Sequence, residues 1–305
     1  MLVALTGATG FIGERLAKRL VAEGHTVRAL TRRNSMSLPP GIEPVRGDLS
    51  DNESLGRLVE GCDALMHLAG AVRGSTASDF NFPNVDGTAR LIAQCSARAP
   101  RLPVLFFSSL AAREPQLSHY AASKRRAEDL FPGYDGPWLV LRPPAVYGPG
   151  DKEMLPVFRF MARTGFAPCA GRRSDRLSLV FVDDLVDASV AWLPRRERIR
   201  AVCSLHDGHT GGYDWPDLAE AAAAVCGRRV RVWELPTHVL DIAARANRSI
   251  CRLTGRQPML SPEKLRELRH PDWVCDNDDI TSLVDWAPAT SLEDGLAATP
   301  GWARN

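Results

Sequence analysis

Short apolar runs alternate with amphipathic segments over the first half of the chain. The runs are bounded by turn residues, as strands are. They lie at 2–6, 25–31, 42–48, 63–70, 103–109 and 138–143. Segments with apolar residues at helical spacing separate them, at 13–24, 53–61, 85–98 and 120–131. Strands joined through helices form right-handed crossovers, so the pattern predicts an α/β fold with a doubly wound parallel sheet covered on both faces.

The pattern changes after the sixth apolar run. The next residues are rich in proline and glycine, and only 177–193 again resembles a strand followed by a helix. We expect that segment to return to the main sheet. The sequence therefore predicts a sheet domain from 1–145 with about 177–204, and a smaller, discontinuous substrate-binding or lid region from 146–176 and 205–305.

The composition is that of an ordinary globular protein, since 45% of the 305 residues are hydrophobic and 24% are charged. The net charge of +2 supplies no basic field, which argues against a nucleic acid partner. Seven scattered cysteines without a C-x-x-C pair predict reduced thiols and no metal site. The N-terminus lacks a basic and apolar leader, and no run reaches the roughly 18 apolar residues that span a bilayer. We therefore expect a cytoplasmic protein without a membrane span.

A glycine pattern, T-G-A-T-G-F-I-G, joins the first strand to the first helix. In this position Gly7 permits a tight turn, Gly10 lets the backbone approach a pyrophosphate, and Gly13 allows close packing of helix on sheet. The motif therefore predicts a dinucleotide site. Its expected cofactor contacts are Thr6, Gly7, Gly10, Phe11, Ile12 and Gly13.

The end of the second strand indicates which dinucleotide binds. NAD sites usually place an acidic residue there, whereas this chain has Thr31 followed by Arg32 and Arg33. A guanidinium can form paired bonds to a 2′-phosphate, so we expect NADP(H), with NAD(H) as the alternative. The cofactor path predicted along the next strand ends adds Asp48, Leu49, Ala69 and Gly70.

Candidate catalytic groups follow the fifth strand and open the next helix. Ser108 and Ser109 end that strand, and Tyr120 and Lys124 share one helical face because they are four residues apart. A nearby ammonium stabilises a phenolate, which makes the tyrosine a usable acid or base. A serine hydroxyl can bind a substrate oxygen as charge develops on it. The pattern predicts hydride transfer assisted by proton transfer.

Together these motifs resemble the extended short-chain dehydrogenase/reductase family. The resemblance rests on T-G-A-T-G-F-I-G, G-D-L, H-L-A-G, N-V-D-G-T, F-F-S-S, Y-A-A-S-K and L-R-P-P-A-V-Y-G-P-G-D, in this order. It covers about residues 1–190 and implies a Rossmann-type domain with Ser109, Tyr120 and Lys124 as catalytic residues. It also implies cofactor-binding positions at Asn84, Ser108, Pro143 and Val146. Of these, Asn84 is expected to support the structure rather than relay protons.

The substrate is less determined than the chemistry. Segments 154–168 and 238–255 are apolar, which together with NADP(H) favours reduction of a lipophilic ketone: steroid-like, polyketide-like or a long-chain 3-oxo, sphingoid-type lipid. The expected substrate contacts are Tyr147, Met154, Phe158 and Arg176. One alternative is a nucleotide-sugar 4-epimerase with tightly bound NAD. A second alternative is a non-catalytic NADP(H)-binding assembly subunit.

Segment 238–255 also predicts an amphipathic helix with arginines beside its apolar stripe. That stripe comprises Val239, Ile242, Ala246, Ile250 and Leu253. The arginines are Arg245, Arg248 and Arg252. We expect the stripe to pack on the protein core; the alternative is peripheral contact with an anionic bilayer. Both a monomer and a homodimer are compatible with the sequence.

Overall fold

The computed structural model describes residues 1–32, 38, 40–254 and 261–303. The strands are β1 Leu2–Thr6, β2 Thr26–Thr31, β3 Ile42–Arg46, β4 Ala64–His67, β5 Val104–Phe107, β6 Trp138–Arg142, β7 Ala145–Tyr147, β8 Phe166–Cys169, β9 Arg176–Leu177, β10 Leu179–Phe181, β11 Arg200–Ser204, β12 Arg231–Glu234 and β13 Asp272–Trp273. The helices are α1 Phe11–Ala22, α2 Asn52–Val59, α3 Ala77–Asn81, α4 Gly87–Arg98, α5 His119–Glu128, α6 Leu155–Thr164, α7 Val182–Ala191, α8 Trp215–Cys226, α9 Thr237–Thr254, α10 Pro262–Leu268, α11 Asp278–Leu283 and α12 Leu292–Ala297. A π-helical turn, Phe82–Asp86, connects α3 to α4.

Seven parallel strands form the central sheet in the order β11-β6-β5-β4-β1-β2-β3. This arrangement confirms the predicted doubly wound parallel sheet. Strand β1 pairs with both β2 and β4, so the direction of winding reverses at β1. In such sheets the reversal opens a crevice at the carboxyl ends of the strands, where ligands bind.

Two apolar cores cover the two faces of the sheet. Along β1, Val3 and Leu5 belong to one core and Ala4 to the other, because successive side chains of a strand point to opposite faces. Helices α1 and α7 cover the first face, and α2 and α4 cover the second. All three strand side chains are fully buried, which explains why the run has no polar alternation.

The expectation that the strand near residue 177 rejoins the main sheet is wrong. Strand β10 pairs with β7 in a separate two-stranded sheet, and β11 is the strand that adds to the edge of the main sheet beside β6. The physical reason lies at Pro143 and Pro144, which lack the N–H groups that a continuing ladder needs. The chain therefore leaves the sheet there, and β7 takes β10 as its partner.

A third apolar core forms from the segments that were expected to cover the strand ends. It includes Tyr147, Phe158, Met161 and Trp302. Not all of the C-terminal part belongs to this core, since Ile280, Val284 and Trp286 pack instead against the first core beside α7. The C-terminal region therefore contacts the main sheet domain more closely than the predicted division indicates.

The buried carboxylate of Asp184 fixes this C-terminal segment. It accepts hydrogen bonds from the Ala289 and Thr290 amides at 3.3 and 3.0 Å and from the Thr290 hydroxyl at 3.1 Å. The indole of Trp286 donates to the backbone carbonyl of the same aspartate at 3.0 Å. The N-terminus of α7 thereby holds the chain that runs from α11 to α12.

Helix α9 is formed as predicted, but its apolar stripe does not pack on the core. Val239, Ile242 and Ile250 are 51%, 66% and 59% exposed, whereas Ala244 on another side of the helix is fully buried. The expectation of a core-facing stripe is therefore wrong at these positions. No helix of the described residues has the length and apolar character needed to cross a bilayer.

We expect Asp184→Ala to lower the free energy of unfolding by about 2 kcal/mol, because it leaves buried amides of 289–290 without their acceptor. Urea denaturation at neutral pH measures the change. The neighbouring Asp183→Ala is the control, since this half-exposed carboxylate pairs with Arg15 on the surface and its loss costs less than about 1 kcal/mol. Equal losses in the two variants would contradict the role assigned to Asp184.

Candidate active site

The glycine loop after β1 allows three backbone segments to meet. Gly7 has a φ of +81°, and a Cβ there would lie 2.9 Å from the Ala69 nitrogen at the end of β4. A Cβ on Gly13 would lie 2.1 Å from the Gly7 carbonyl oxygen. The Gly10 amide donates to the same oxygen at 2.9 Å. Larger residues at the first and third of these positions would push α1 away from the sheet.

The N-terminus of α1 fits the diphosphate of a dinucleotide. Its N-cap is Gly10, which has no side chain to accept hydrogen bonds from the first amides of the helix. Those amides, with the positive end of the helix dipole, suit an anion. Gly10 is exposed, and Phe11 and Ile12 are half-buried beside it, so a phosphate has access to the loop.

The buried side chain of Thr6 stabilises the chain around the crevice and does not line it. Its hydroxyl accepts the amides of residues 68 and 69 at 3.2 and 3.1 Å, and it lies 2.6 Å from His67 Nδ1. Thr88 donates its hydroxyl proton to a backbone carbonyl, so His67 Nε2 must be the donor in its 3.0 Å contact with Thr88. Burial, with a contribution from Lys124, lowers the pKa of His67 to about 3. The imidazole is therefore a neutral structural group.

Arg32 and Asp48 lie at neighbouring strand ends, where the adenosine part of a dinucleotide binds in such sheets. Both side chains are exposed, and Leu49 beside them is half-buried. Hydrogen bonds from Ser50 chiefly lower the pKa of Asp48, and the charge of Arg32 acts in the same direction. Arg33, the second arginine predicted to contact the cofactor, lies outside the described residues.

Asn84 connects the crevice to the catalytic helix from within the π-helical turn. Its Oδ1 accepts the Ala71 amide at 2.7 Å, and its Nδ2 donates to the Ala71 carbonyl at 3.0 Å and to Ser123 Oγ at 2.9 Å. Ser123 in turn donates to the Tyr120 carbonyl at 2.7 Å. A Cβ on Gly70 would lie 2.6 Å from Asn84 Oδ1, so the loop passes close over it. Since its amide is used in these bonds, Asn84 fits a supporting role better than a relay.

The structure brings the Ser109 hydroxyl close enough to the Tyr120 phenol to influence its pKa. Burial raises the pKa of Tyr120 to about 12, although Ser109 acts in the opposite direction. The phenol is therefore protonated near neutral pH, and it can donate a proton to a substrate oxygen. Tyr120 lies on α5, whose N-cap Ser118 accepts the Ala121 amide at 2.9 Å and fixes the start of the helix.

Lys124 follows Tyr120 on the same face of α5 and is only 5% exposed. Its Nζ donates to the Phe107 carbonyl at 2.7 Å and lies 5.1 Å from the centroid of the Phe106 ring. Burial lowers the pKa of this ammonium to about 8, and Glu128 opposes the shift. The site thus holds a cation whose charge is easily lost or gained near neutral pH.

Sequence reasoning missed a buried ion pair behind Lys124. Glu128 at the end of α5 accepts two bonds from Arg142 at 2.9 and 2.5 Å, and Ser108 donates to the same carboxylate. Ser108 was predicted to contact the cofactor, but its hydroxyl donates to Glu128 of this ion pair. Glu128 and Arg142 are in different elements, and no local pattern marks them as partners.

A cleft opens beside the Tyr120 phenol. Its lining includes Arg73, Phe80, Ser118, Tyr120, Glu263 and Glu267. Ser118 donates to Glu267, and this bond attaches helix α10 to the start of α5. Within α10, Lys264 pairs with the same carboxylate at 2.9 Å. Apart from Tyr120, the sequence did not predict these lining residues. A signal existed for Ser118, because a serine just before a helical segment is typical of an N-cap.

The predicted substrate contacts do not line this cleft. Tyr147 and Phe158 are 1% exposed in the third core, and Met154 packs against the same core. Arg176 is exposed and donates to a backbone carbonyl at 3.0 Å. The reason for the difference is that α6 packs its apolar face into the third core.

The remaining predicted contacts lie near the nicotinamide end of the crevice. Pro143 is buried and its carbonyl accepts the Leu110 amide at 2.9 Å, and Val146 is half-buried against the first core. Ala69 is half-buried and Gly70 exposed at the end of β4. In the part of the chain that the structure describes, no cluster of three or more His, Cys, Asp or Glu side chains could hold a metal ion.

Comparison with known proteins identifies relatives for this site and fold. A model of the NAD-dependent epimerase/dehydratase family matches residues 3–202. A ceramide reductase of Caulobacter vibrioides is 36% identical over 99% of this chain and 94% of its own length. A 2-alkyl-3-oxoalkanoate reductase of Stenotrophomonas maltophilia is 30% identical over 60% of this chain and 62% of its own length. These matches confirm the resemblance seen in the sequence motifs.

Solved structures share the fold across the whole chain. A UDP-glucuronic acid 4-epimerase from Bacillus cereus, in complex with UDP-glucuronic acid and NAD, has a TM-score of 0.73 and covers 98% of this chain and 97% of its own. Its sequence is only 20% identical. The likeness therefore concerns the fold and says nothing of the substrate.

We expect Lys124→Met to raise the free energy of unfolding near pH 7 by about 1–3 kcal/mol, because folding lowers the pKa of the ammonium from 10.5 to about 8. The unfolded chain binds this proton more tightly, so the penalty of burying it is full below about pH 8 and disappears as the pH rises towards 10.5. The gain from the variant should fade over the same interval.

Urea denaturation of both proteins near pH 7 and near pH 10 measures this difference. Lys18→Met is the control, since Lys18 is exposed on α1 and its replacement should change stability by less than about 0.5 kcal/mol. A gain at Lys124 that is the same at both pH values would show that lost charge is not its cause.

Proposed function

The chain belongs to the NAD-dependent epimerase/dehydratase family, and from that premise we propose that it is an NADP(H)-dependent reductase of a ceramide-type, long-chain keto lipid. That it is an NAD(P)-dependent oxidoreductase follows from the family and from its relatives named as reductases. The observation that carries the finer proposal is the 36% identity, along nearly the full length of both chains, to a ceramide reductase.

In this proposal Ser109, Tyr120 and Lys124 carry out carbonyl reduction. The protonated Tyr120 phenol donates its proton to the ketone oxygen, while the Ser109 hydroxyl binds the same oxygen. The ammonium of Lys124, on the same helix face, stabilises the tyrosinate that remains. When bound, NADPH supplies the hydride that completes the reduction. The glycine loop and the start of α1 would hold its diphosphate.

The preference for NADP(H) rests on Arg32. It is exposed at the carboxyl end of β2, and Thr31 stands where NAD sites usually carry an acid. A guanidinium in this place can bind a 2′-phosphate through charge-assisted bonds. Asp48, whose pKa the charge of Arg32 helps to lower, lies close by and attracts the guanidinium to this end of the crevice.

Support for a lipid substrate comes from the relatives more than from the apolar segments of the sequence. The cleft beside Tyr120 is lined by hydroxyl and charged groups, such as Ser118 and Glu267. Such a lining suits a head group with hydroxyl and amide functions next to the ketone. The hydrocarbon tails of a ceramide-type lipid would have to extend beyond these residues.

The proposed activity is tested by NADPH oxidation with an N-acyl-3-oxosphinganine presented in detergent micelles. We expect turnover to an alcohol, and a loss of about 10²–10⁴-fold in kcat for Tyr120→Phe with little change in NADPH affinity. Tyr134→Phe is the matched control, because that hydroxyl only donates to the Leu102 carbonyl away from the crevice. If the protein does not reduce the ketone and instead epimerises UDP-glucuronic acid, the proposal is overturned.

We expect Arg32→Asp to lower the ratio of kcat/KM for NADPH over NADH by about 10- to 100-fold, since it removes a charged bond to the 2′-phosphate and adds a repelling carboxylate. Steady-state kinetics with both cofactors measure the ratio. Arg57→Asp changes the charge equally on exposed α2 and serves as control. An unchanged preference for NADPH after Arg32→Asp would eliminate this residue as the cause.

A further inference from the structure

Helix α9 is an amphipathic helix with its apolar side turned outward. Val239 and Ile242 are 51% and 66% exposed, and the small side chains of Ala243 and Ala246 between the turns are exposed as well. Isolated exposed aliphatic side chains are common on soluble proteins, but a continuous apolar side of one helix marks a surface that contacts another protein or a membrane.

Polar contacts fix this orientation. Arg269, just after α10, pairs with Asp241 at 2.8 Å and donates to the Thr237 carbonyl at 3.0 Å. About two helical turns further on, Arg248 pairs with Glu263 of α10 at 3.4 Å. The polar side of α9 is thus attached to the protein at both the start and the middle of the helix. Rolling the apolar side inward would break these contacts.

The charge around α9 is mostly positive. Between residues 228 and 256 the sequence contains seven arginines and two acidic residues, although the whole chain has a net charge of only +2. Arg245 is exposed beside the apolar side of α9. The remainder of the chain is therefore net acidic, and the positive charge is concentrated in the stretch of sequence that contains α9. This combination complements an anionic lipid surface.

An exposed aromatic pair lies just before the helix. Phe166 and Trp233 are 44% and 47% exposed, with ring centroids 6.1 Å apart on the paired strands β8 and β12. Strand β12 leads directly into α9. Aromatic side chains of this kind are favoured at the boundary between water and hydrocarbon.

We propose that α9, together with the Phe166–Trp233 pair, is a lipid-facing surface that rests on an anionic bilayer. A second copy of the chain would suit this surface poorly, because a two-fold contact would place the same arginines against each other. The surface is next to the site, since α10 contacts α9 through Glu263 and lines the cleft beside Tyr120. The inference rests on these contacts and charges, and it holds whichever substrate the enzyme reduces.

Co-sedimentation of the full chain with vesicles tests the proposal without any substrate. We expect binding to equimolar phosphatidylglycerol and phosphatidylcholine, and weaker binding to phosphatidylcholine alone. Val239→Ser/Ile242→Ser should lower the partition coefficient by about tenfold or more, because two aliphatic side chains lose their hydrocarbon contact. Arg245→Glu should lower binding to the anionic vesicles by about fivefold or more and leave binding to neutral ones unchanged.

Val202→Ser is the matched control, since this valine is 37% exposed on β11 in the main sheet. It should bind vesicles as the unsubstituted chain does, and equal melting temperatures show that the variants are folded. Absence of vesicle binding by the unsubstituted chain overturns the proposal, as does a control variant that loses binding equally. Sedimentation equilibrium tests the remaining occupant. If the unsubstituted chain does not bind vesicles but forms a dimer, and Val239→Ser/Ile242→Ser dissociates that dimer, the surface belongs to a second copy instead.

Discussion

The close contact between the backbone of Gly7 and Gly13 is the constraint on which the rest of the site depends. With only 2.1 Å between the Gly7 oxygen and the place of a Cβ on Gly13, no larger residue fits without moving α1. This contact sets the start of α1 at the point where the sheet reverses its winding. The uncapped helix amides, the crevice and the end of β4 thereby meet at one place, which is what a diphosphate needs.

A buried path of hydrogen bonds links this loop to the catalytic helix. In order, it passes through Thr6, His67, Thr88, Asn84, Ser123 and Tyr120. None of these links carries a charge, because the imidazole is held neutral, so the path costs no ion burial. The path fixes β1, β4, the π-helical turn and α5 relative to one another, so that they cannot shift independently. Buried networks of this kind are stable only when every member is satisfied.

The parts of the molecule that local patterns control were predictable, and the parts set by distant partners were not. The glycine loop, the strands of the sheet and the spacing of Tyr120 and Lys124 depend on neighbours within a few residues. The pairing of Glu128 with Arg142 and the place of β11 at the sheet edge depend on tertiary contacts. For α9 the periodicity gave the apolar stripe correctly but not the side it faces, because ion pairs at Asp241 and Arg248 decide that.

For the keto lipid proposed as the substrate, the ion pair between Arg248 and Glu263 bears on both ends of the molecule. A ketone close to hydroxyl and amide groups must enter a polar cleft to meet Tyr120, while hydrocarbon must stay out of water. Because Glu263 lines that cleft and also pairs with Arg248, helix α10 connects the polar cleft to the helix whose apolar side faces outward. Under that proposal the enzyme acts on the head group without burying the tails in its own core. In such an arrangement Tyr147 and Phe158, which were predicted to contact the substrate, serve as packing in the third core.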